Sequence, residues 1–283
     1  MLGSMVSHNR PSLRQRADDA AATLLRAIPS KPRIAMLLGT GHTSIANQLK
    51  DRYTFSREEL PQGLHFDTKE SGSPLLFGFL EGVPIIVGDA PVVGYEGYST
   101  EEVTFPVRVL RAMGAELLIL TAAAASLSLQ IEPGSVAVVE DHLNLSGMHP
   151  LHGPNDEQLG PRFPDMSDPY AHGWRDIARN TAREAGIPCH PAVFAAVPGP
   201  CLPTRAEYRY LKIAGADLVG MSMVPEVLAA VHSGFQVLGL VGVTQSVSVE
   251  RHSAASIEDM LDAADVAAPR IAALLTGIVG SVR

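Results

Sequence analysis

The chain has few cysteines, few aromatic residues and no surplus of positive charge. Its two cysteines, Cys189 and Cys201, are too few and too isolated for a disulfide scaffold or for a zinc site with repeated short spacing. The 22 lysines and arginines stand against 30 aspartates and glutamates, which gives a formal net charge of −8 and no basic stripe to follow a phosphate backbone. We therefore predict a protein of the reducing cytoplasm that does not bind nucleic acid.

Long apolar stretches and targeting signals are also missing from the sequence. The longest apolar runs, such as 117–125, have the length of a strand, and none approaches the roughly 20 residues that span a bilayer. The N-terminus lacks the succession of basic, apolar and small residues that marks a signal peptide. We assign residues 1–10 to an expression remnant or disordered start, and residues 11–283 to one domain without a membrane partner.

Short apolar runs alternate along the chain with stretches of helical periodicity. The predicted strands are 33–38, 75–80, 84–87, 117–121, 135–139, 192–197, 218–219 and 237–243. The predicted helices are 12–28, one starting near 44, 100–113, 171–185, 205–214, 225–233 and 257–276. This alternation favours a single α/β domain whose twisted sheet is mixed, mostly parallel and flanked by helices. The long irregular segment 142–169 is predicted to form a subunit contact and a lid over the site.

The sequence carries no signature of a metal, flavin or nicotinamide site. Its Gly-x-Gly turn at 39–41 follows a predicted strand, but it lacks the third glycine and the downstream acidic residue of a dinucleotide site. Backbone N–H groups of such a turn are able to hold an anion. We expect no cofactor, and two interpretations of the turn stay open: an anion site and a plain strand-to-helix connection.

A series of longer motifs follows one another in a fixed order between residues 33 and 268. They are Tyr-Glu-Gly-Tyr at 95–98, Val-Thr-Phe-Pro-Val-Arg at 103–108, Asp-His-Leu-Asn-Leu at 141–145, Gly-Pro-Asn-Asp-Glu at 153–157, Arg-Phe-Pro at 162–164, Met-Ser-Asp at 166–168, Gly-Ala-Asp at 215–217, Gly-Met-Ser at 220–222 and Val-Pro-Glu at 224–226. Together they resemble the trimeric purine nucleoside phosphorylases. The resemblance implies that family's fold, a homotrimer, and a site where orthophosphate attacks the anomeric carbon of a purine nucleoside.

The resemblance also implies which positions bind the ligand. Thr40 and Ser222 match positions that contact phosphate in the family, while Tyr95 and Met221 lie in motifs that match intact. Phe163 corresponds to a residue that reaches into the neighbouring subunit's site. For Tyr95, Met221 and Phe163 the alternative is ordinary packing in the core or at an interface.

The cationic phosphate contacts of the family are replaced in this chain. Counting from the 95–98 motif, its arginine and histidine fall at Pro91 and Val93, and a further histidine falls near Ser71. A pyrrolidine ring and an isopropyl group supply none of the charge-assisted hydrogen bonds that an arginine fork gives to phosphate. The substitutions predict severely weakened orthophosphate binding.

The purine end of the site is altered as well. The family motif Gly-Pro-Ser-Phe-Glu-Thr appears as Gly-Pro-Cys-Leu-Pro-Thr at 199–204, so Pro203 replaces the base-reading glutamate. Gln245 aligns with the asparagine that stabilises the departing base, and it keeps the amide on a longer arm. An alanine run at 122–125 replaces a glycine-containing wall. The residues expected to line this end are Ala123, Cys201, Leu202 and Thr204.

Acid–base candidates complete the predicted site. His42 and Asp89 stand near the former phosphate turn, where a histidine–carboxylate pair is suited to proton transfer near neutral pH. Glu96 and Gln245 are further catalytic candidates, and Glu250 with His252 forms a second possible pair. The alternatives are a solvated loop histidine, a turn-stabilising Glu96 and a cysteine at 201 that is structural rather than nucleophilic.

Three functions fit this pattern of retained scaffold and changed contacts. The favoured hypothesis is a diverged, pseudo-phosphorylase-like enzyme of this fold that acts on a nucleoside-like or other small molecule without orthophosphate. The second is an active purine nucleoside phosphorylase with a rearranged phosphate site using Thr40, His42 and Ser222. The third is a non-catalytic homologue that binds a small molecule and keeps the trimer.

Overall fold

A mixed β-sheet forms the centre of the protein, and helices cover both of its faces. The computed structural model describes residues 11–39, 42–66, 74–247 and 256–282. In these ranges the strands are β1 (Ile34–Leu38), β2 (Lys50–Phe55), β3 (Leu75–Leu80), β4 (Val83–Asp89), β5 (Leu117–Ser126), β6 (Val136–Asn144), β7 (Cys189–Ala196), β8 (Leu218–Gly220) and β9 (Gln236–Ser246). The α-helices are α1 (Leu13–Leu25), α2 (His42–Ala46), α3 (Thr100–Ala112), α4 (His172–Glu184), α5 (Arg205–Ile213), α6 (Val224–His232) and α7 (Ile257–Gly280). Short 3₁₀ turns cover Arg57–Glu59 and Gly94–Glu96.

The strand order is β2-β3-β4-β1-β5-β8-β7-β6-β9. The pairings of β1 with β4 and β5, of β5 with β9, and of β7 with β6 and β8 are parallel, whereas β2 with β3, β3 with β4, β5 with β8 and β6 with β9 are antiparallel. Because β9 also pairs with β5, strands β5, β8, β7, β6 and β9 close into a ring. The predicted α/β class and mixed sheet are confirmed.

Strand alternation divides the core into two layers. In β1, Ala35 and Leu37 face a cluster that includes α1, α3 and α6, while Met36 and Leu38 face a cluster formed with α4 and α7. All five residues of β1 are buried, as expected for a strand covered on both faces. Helices on both faces leave the strand ends as the place where the sheet meets solvent.

Sequence periodicity missed strand β2, and several predicted strands are longer in the structure, including β6, which was predicted at 135–139 and continues to Asn144. Most of β2 is exposed and carries Lys50, Asp51 and Arg52, so it has no apolar run to reveal it. The strand predicted at 117–121 continues to Ser126, and the one predicted at 237–243 continues to Ser246. Alanine has low intrinsic strand preference, and pairing between β5 and β9 holds the alanine run extended.

The prediction that no apolar stretch reaches the length of a membrane span is wrong for helix α7. Its 24 residues meet that length and include a window with a mean hydropathy of 1.4. However, Ala267, Ile271 and Leu275 are buried in the core layer that contains β9 and α4. The helix is therefore a core helix of this fold by its packing.

Candidate active site

A cavity of about 330 Å³ opens at the carboxyl ends of β1, β5 and β9. These three strands are mutually parallel through β5, so their ends meet at one edge of the sheet. Gly39 follows β1 and donates its N–H to the carbonyl of Thr121 at 3.1 Å, which fixes the turn against β5. The edge of a sheet beyond the carboxyl ends of parallel strands is the usual ligand position in α/β folds.

The alanine run of β5 forms one wall of the cavity. Ala123 lines it as predicted, and its neighbours Ala122 and Ala124 are buried in the core. Gln245 lies on the adjoining strand, where it pairs with Ala125 in register. Gln245 lines the cavity, and its Oε1 is buried and has no hydrogen-bond partner among the described residues.

The opposite wall is a sharp turn between β8 and α6. Met221 and Ser222 line the cavity, as predicted. The N–H of Val224 donates to the carbonyl of Ser222 at 3.0 Å across Met223, whose φ of 75° and ψ of −50° describe a classic γ-turn. This conformation is rare and strained for a non-glycine residue, and such strain is concentrated at functional sites.

Glu226 is a cavity residue that the sequence analysis did not select. It lies in the first turn of α6, is 3% exposed, and lines the cavity. Burial raises the pKa of its carboxyl to about 7, while the backbone N–H groups of Glu226 and Met223 act in the opposite direction. Its Oε2 has no partner in the described part of the chain. The signal that could have found it is a single acid in the apolar segment 223–231.

The motif at 95–98 has one residue, Tyr95, in the cavity lining and another, Glu96, on the surface. Tyr95 lines the cavity and is 44% exposed. Glu96 is exposed and lies outside the described cavity lining. Gly199 packs against both Tyr95 and Met221, because a Cβ built on it would lie 3.2 Å from Tyr95 Cδ1 and 2.5 Å from Met221 Sδ. The catalytic role predicted for Glu96 therefore has no support from its position.

The loop before α5 contributes one of the lining residues predicted there, Leu202, together with Pro203. Leu202 and Pro203 line the cavity. Cys201 is exposed and does not belong to the lining in the described structure. Thr204 is the N-cap of α5, where its hydroxyl accepts from the N–H of Glu207 at 3.3 Å in a capping box. The role that geometry gives to Thr204 is thus to start a helix.

The predicted acid–base pairs lie largely outside the described residues. Thr40, Ser71, Glu250 and His252 fall there, as does the side chain of His42, whose backbone begins α2. Asp89 ends β4 and is 5% exposed, but it does not belong to the described cavity lining. Its pairing with His42 stays a prediction.

Phe163 lies in the predicted contact segment, 88% exposed. The guanidinium of Arg162 is stacked over its ring, at 5.7 Å from the ring centroid. A ring this exposed is costly in water unless another surface covers it. Its contact with a neighbouring subunit stays a prediction.

The electrostatics of the cavity are set by neutral groups. Pro91 and Val93 line it where the resemblance places cationic residues, and its described lining contains no lysine, arginine or histidine. The one acid of that lining is Glu226. The remaining polar groups of that described lining are hydroxyls, the amide of Gln245 and backbone atoms, which bind a ligand through hydrogen bonds.

Comparisons with known proteins agree with this geometry. Residues 33–280 match the phosphorylase superfamily. The chain is 39% identical over 228 residues to purine nucleoside phosphorylase 1 of Bacillus subtilis, covering 81% of this chain and 84% of that protein. It is 36% identical over 271 residues to the purine nucleoside phosphorylase of Bos taurus, covering 93% and 94%. The crystal structure of the Schistosoma mansoni enzyme in complex with inosine superposes with a TM-score of 0.89 at 30% identity, over 95% of this chain and 97% of that one.

These comparisons contradict the favoured hypothesis of a diverged enzyme that works without orthophosphate. Relatives that share 39% and 36% identity over most of the chain are purine nucleoside phosphorylases, so that hypothesis is wrong. The replacements at 91, 93 and 203 are outweighed by identity that extends over most of the chain. The second hypothesis, an active phosphorylase with a rearranged phosphate site, agrees better with these relatives.

Proposed function

The chain belongs to the phosphorylase superfamily, and from this membership we propose that it is a purine nucleoside phosphorylase with its active site in the cavity at the ends of β1, β5 and β9. In the proposed reaction a phosphate oxygen bonds to the anomeric carbon while the bond from that carbon to the purine nitrogen breaks. The products are a sugar 1-phosphate and the free base. As the purine leaves, it accepts a hydrogen bond or a proton on a ring nitrogen.

The observation that carries this proposal is the convergence of distant residues on one cavity. Tyr95, Met221, Ser222 and Gln245 come from three parts of the chain and all line it. Its volume of about 330 Å³ lies within the range of small-molecule sites. The related Schistosoma mansoni enzyme was solved in complex with inosine, which supports a nucleoside as the ligand of this fold.

Each end of the cavity suits one part of the substrates. We assign the purine to the end with Gln245, whose unpartnered Oε1 accepts a hydrogen bond from a protonated base nitrogen. The sugar packs on the apolar faces of Tyr95 and Met221. Orthophosphate lies near Ser222, whose hydroxyl is a donor. A contribution from backbone N–H groups of the turn at 39–41, which lies partly outside the described residues, stays a prediction. Neutral donors bind a dianion more weakly than arginine does, so a high KM for phosphate follows.

The assembly and compartment of the protein are part of the same proposal. The exposed ring of Phe163 supports a homotrimer in which segment 142–169 contacts the neighbouring subunit. Burial of such a ring against a partner site is favourable by the hydrophobic effect. The low cysteine content supports a cytoplasmic protein.

The test is cleavage of inosine and guanosine by the purified protein, with and without inorganic phosphate, followed by chromatography of the free base. We expect cleavage that depends on phosphate. An Ala123→Phe variant, purified identically, fills the cavity from β5 and is expected to lose turnover, which controls for contaminating phosphorylase. Cleavage without phosphate would contradict the proposal. Binding of inosine with no turnover would instead support the non-catalytic homologue.

A further inference from the structure

Three polar side chains from distant parts of the sequence form a continuous series of hydrogen bonds at the C-terminal end of α6. Arg108 of α3 and His232, the last residue of α6, are both 4% exposed, and the Arg108 Nη1 lies 2.8 Å from the His232 Nδ1. The His232 Nε2 lies 3.2 Å from the Oδ1 of Asn155, whose Nδ2 donates to the Gly160 carbonyl at 3.0 Å. The series therefore connects two helices to the loop formed by residues 153–161, the 153–161 loop.

The donors and acceptors of this series are fixed from both of its ends. The guanidinium of Arg108 has only donors, so the His232 Nδ1 must accept its hydrogen bond. Asn155 gives its Nδ2 hydrogens to a carbonyl, so its Oδ1 must accept from the His232 Nε2. Both conditions require the neutral imidazole that carries its one proton on Nε2. A protonated His232 would direct a second donor at the cationic Arg108 Nη1, which is only 2.8 Å away.

The charges around His232 act mainly against a proton on its ring. Burial and the charge of Arg108 lower the pKa of His232 below the ordinary value of 6.5, while two carbonyls of the 153–161 loop and the carboxylate of Asp156 act in the other direction. Arg108 stays cationic at neutral and acid pH, because burial lowers the pKa of its guanidinium only to about 10.

The other titratable groups of the elements around α6 lie elsewhere or have other partners. Arg111 of α3 donates from Nε to the Ser233 carbonyl at 3.0 Å. On β6, the His142 Nδ1 lies 3.2 Å from the hydroxyl of Tyr170. Glu226 lies in the first turn of α6, at the opposite end of the helix. Strand β9 carries no titratable side chain.

Close packing leaves the 153–161 loop little freedom at this contact. A Cβ built on Gly160 would lie 1.9 Å from the carbonyl oxygen of His232, so the loop backbone and the helix end touch directly. Within the loop, the Asp156 carbonyl accepts from the N–H of Leu159 at 2.9 Å and from that of Gly160 at 3.3 Å. Because a small shift cannot hydrate two adjacent buried charges, a charged His232 favours separation of the loop from α6.

From this geometry we propose that His232 is a pH-sensitive link in which the neutral imidazole holds the 153–161 loop on α3 and α6, and protonation releases the loop. The loop is part of segment 142–169, for which a lid or a subunit contact is predicted, so acid would act on that contact. The link is independent of the proposed phosphorylase function, because Arg108, His232 and Asn155 lie outside the described cavity lining.

The direction of the pH effect follows from the proton held in each state. In the released loop the imidazole of His232 meets water and has its ordinary pKa of 6.5, whereas its pKa in the closed state is lower. The closed state is therefore fully favoured above pH 6.5 and is lost as the pH falls below that value. The equilibrium constant for opening grows by up to about tenfold for each pH unit below 6.5, until the closed-state pKa is reached.

The first experiment is hydrogen–deuterium exchange of the full-length protein at pH 7.5 and pH 5.5, followed by mass spectrometry and corrected for the intrinsic exchange rate. The N–H groups of Leu159 and Gly160 report on the loop, because both donate to Asp156. We expect their protection to fall several-fold at pH 5.5, by up to about tenfold. A peptide from the buried part of β5 is the internal reference and should keep its protection.

Matched variants assign the effect to His232. In His232→Gln the side-chain oxygen accepts from Arg108 and the side-chain nitrogen donates to Asn155, and the amide does not titrate. We expect this variant to keep the protection of the loop at both pH values. His172→Gln is the control, because His172 is an exposed histidine on α4, and this variant should retain the acid sensitivity of the unaltered protein.

A tautomer measurement tests the proposal even if His232→Gln does not fold. In the NMR spectrum of the unaltered protein labelled with ¹⁵N-histidine, His232 at pH 7.5 should be neutral and protonated on Nε2. A proton on Nδ1 would overturn the proposal, as would unchanged loop protection at pH 5.5. Equal acid sensitivity in His232→Gln would also overturn it and would point to the stacked rings of His149 and His152 in the same segment. None of these measurements depends on nucleoside cleavage.

Discussion

Gly199 lies so close to Met221 that a Cβ at position 199 would come within 2.5 Å of the methionine Sδ. The glycine has a φ of 68°, a conformation that side chains with a Cβ rarely adopt. The same position lies against Tyr95. One glycine thus holds the loop before α5 against two residues of the cavity that are far apart in the sequence.

Replacement of this glycine is expected to damage the site more than the fold. Gly199→Ala should raise the KM for inosine about tenfold or more, because Met221 and Tyr95 must move. The positive φ costs about 1–2 kcal/mol of stability. Gly186→Ala is a matched control, since Gly186 has a φ of 66° and nothing within 4 Å of its Cβ position. Steady-state kinetics and denaturant unfolding separate the two effects; equal KM values for both variants would contradict the assignment of this contact.

Gln245 should affect catalysis and stability in opposite directions. Gln245→Leu removes an acceptor that we assign to the base, so kcat/KM for inosine should fall about 10–100-fold, as for loss of a hydrogen bond to a charged group. The same change removes a buried oxygen that has no partner in the described structure, so the free energy of unfolding should stay equal or rise. Unchanged kinetics would place the base elsewhere.

Cationic side chains at 91 and 93 should strengthen phosphate binding. Pro91→Arg with Val93→His places donors in the described cavity lining, and charge-assisted bonds are each worth about 1.5–3 kcal/mol. We expect the phosphate KM to fall about tenfold or more, and added Pro203→Glu to improve discrimination between purines. Thermal unfolding checks that the variants fold. A folded variant with an unchanged phosphate KM would show that phosphate binds away from Pro91 and Val93.

Variants of Thr204 test whether this residue caps helix α5 or contacts the substrate. Thr204→Ala removes the bond to the Glu207 N–H and should cost about 1 kcal/mol of stability with little change in the KM for inosine. Thr204→Ser keeps the hydroxyl and should restore the stability. A large change in KM that serine reverses would return Thr204 to the substrate contacts.

Glu226 should make the fold less stable as the pH rises. The pKa of Glu226 in the folded protein is about 7, above the ordinary value of 4.5. Its contribution to the free energy of unfolding is therefore complete below pH 4.5 and is lost as the pH rises towards 7. The difference of about 2.5 pKa units corresponds to about 3 kcal/mol. Denaturant unfolding of the unaltered protein and of Glu226→Gln at pH 5 and pH 8 measures it. A stability difference between the two proteins that is independent of pH would contradict the raised pKa.

Local patterns revealed much of the fold because they depend on neighbouring residues. The apolar runs of β1 and β3 and the helical periodicity of α1 lie close to their observed bounds. The charged edge strand β2 was missed, because its conformation comes from pairing with β3 rather than from its own residues. Similarly, the alanines after Thr121 continue β5 only because β9 pairs with them.

Motifs selected several residues that line the cavity, but they did not distinguish these from neighbours that do not. Tyr95, Ala123, Leu202, Met221, Ser222 and Gln245 all line the cavity. Glu96, Cys201 and Thr204 belong to the same motifs and do not belong to its described lining. Adjacent residues of a turn point in different directions, so a matching motif identifies a segment rather than each side chain in it.

The sequence by itself determined most of the strands and helices and the family, and through the resemblance it marked positions 91, 93 and 203 as changed. Those features are encoded by residue type and short-range spacing. Only the tertiary structure decided that Gln245 lies beside Ala125, that Gly199 packs on Met221, and that Glu226 is buried. Burial and the pKa it changes arise from elements that are distant in the chain and meet only in the folded protein.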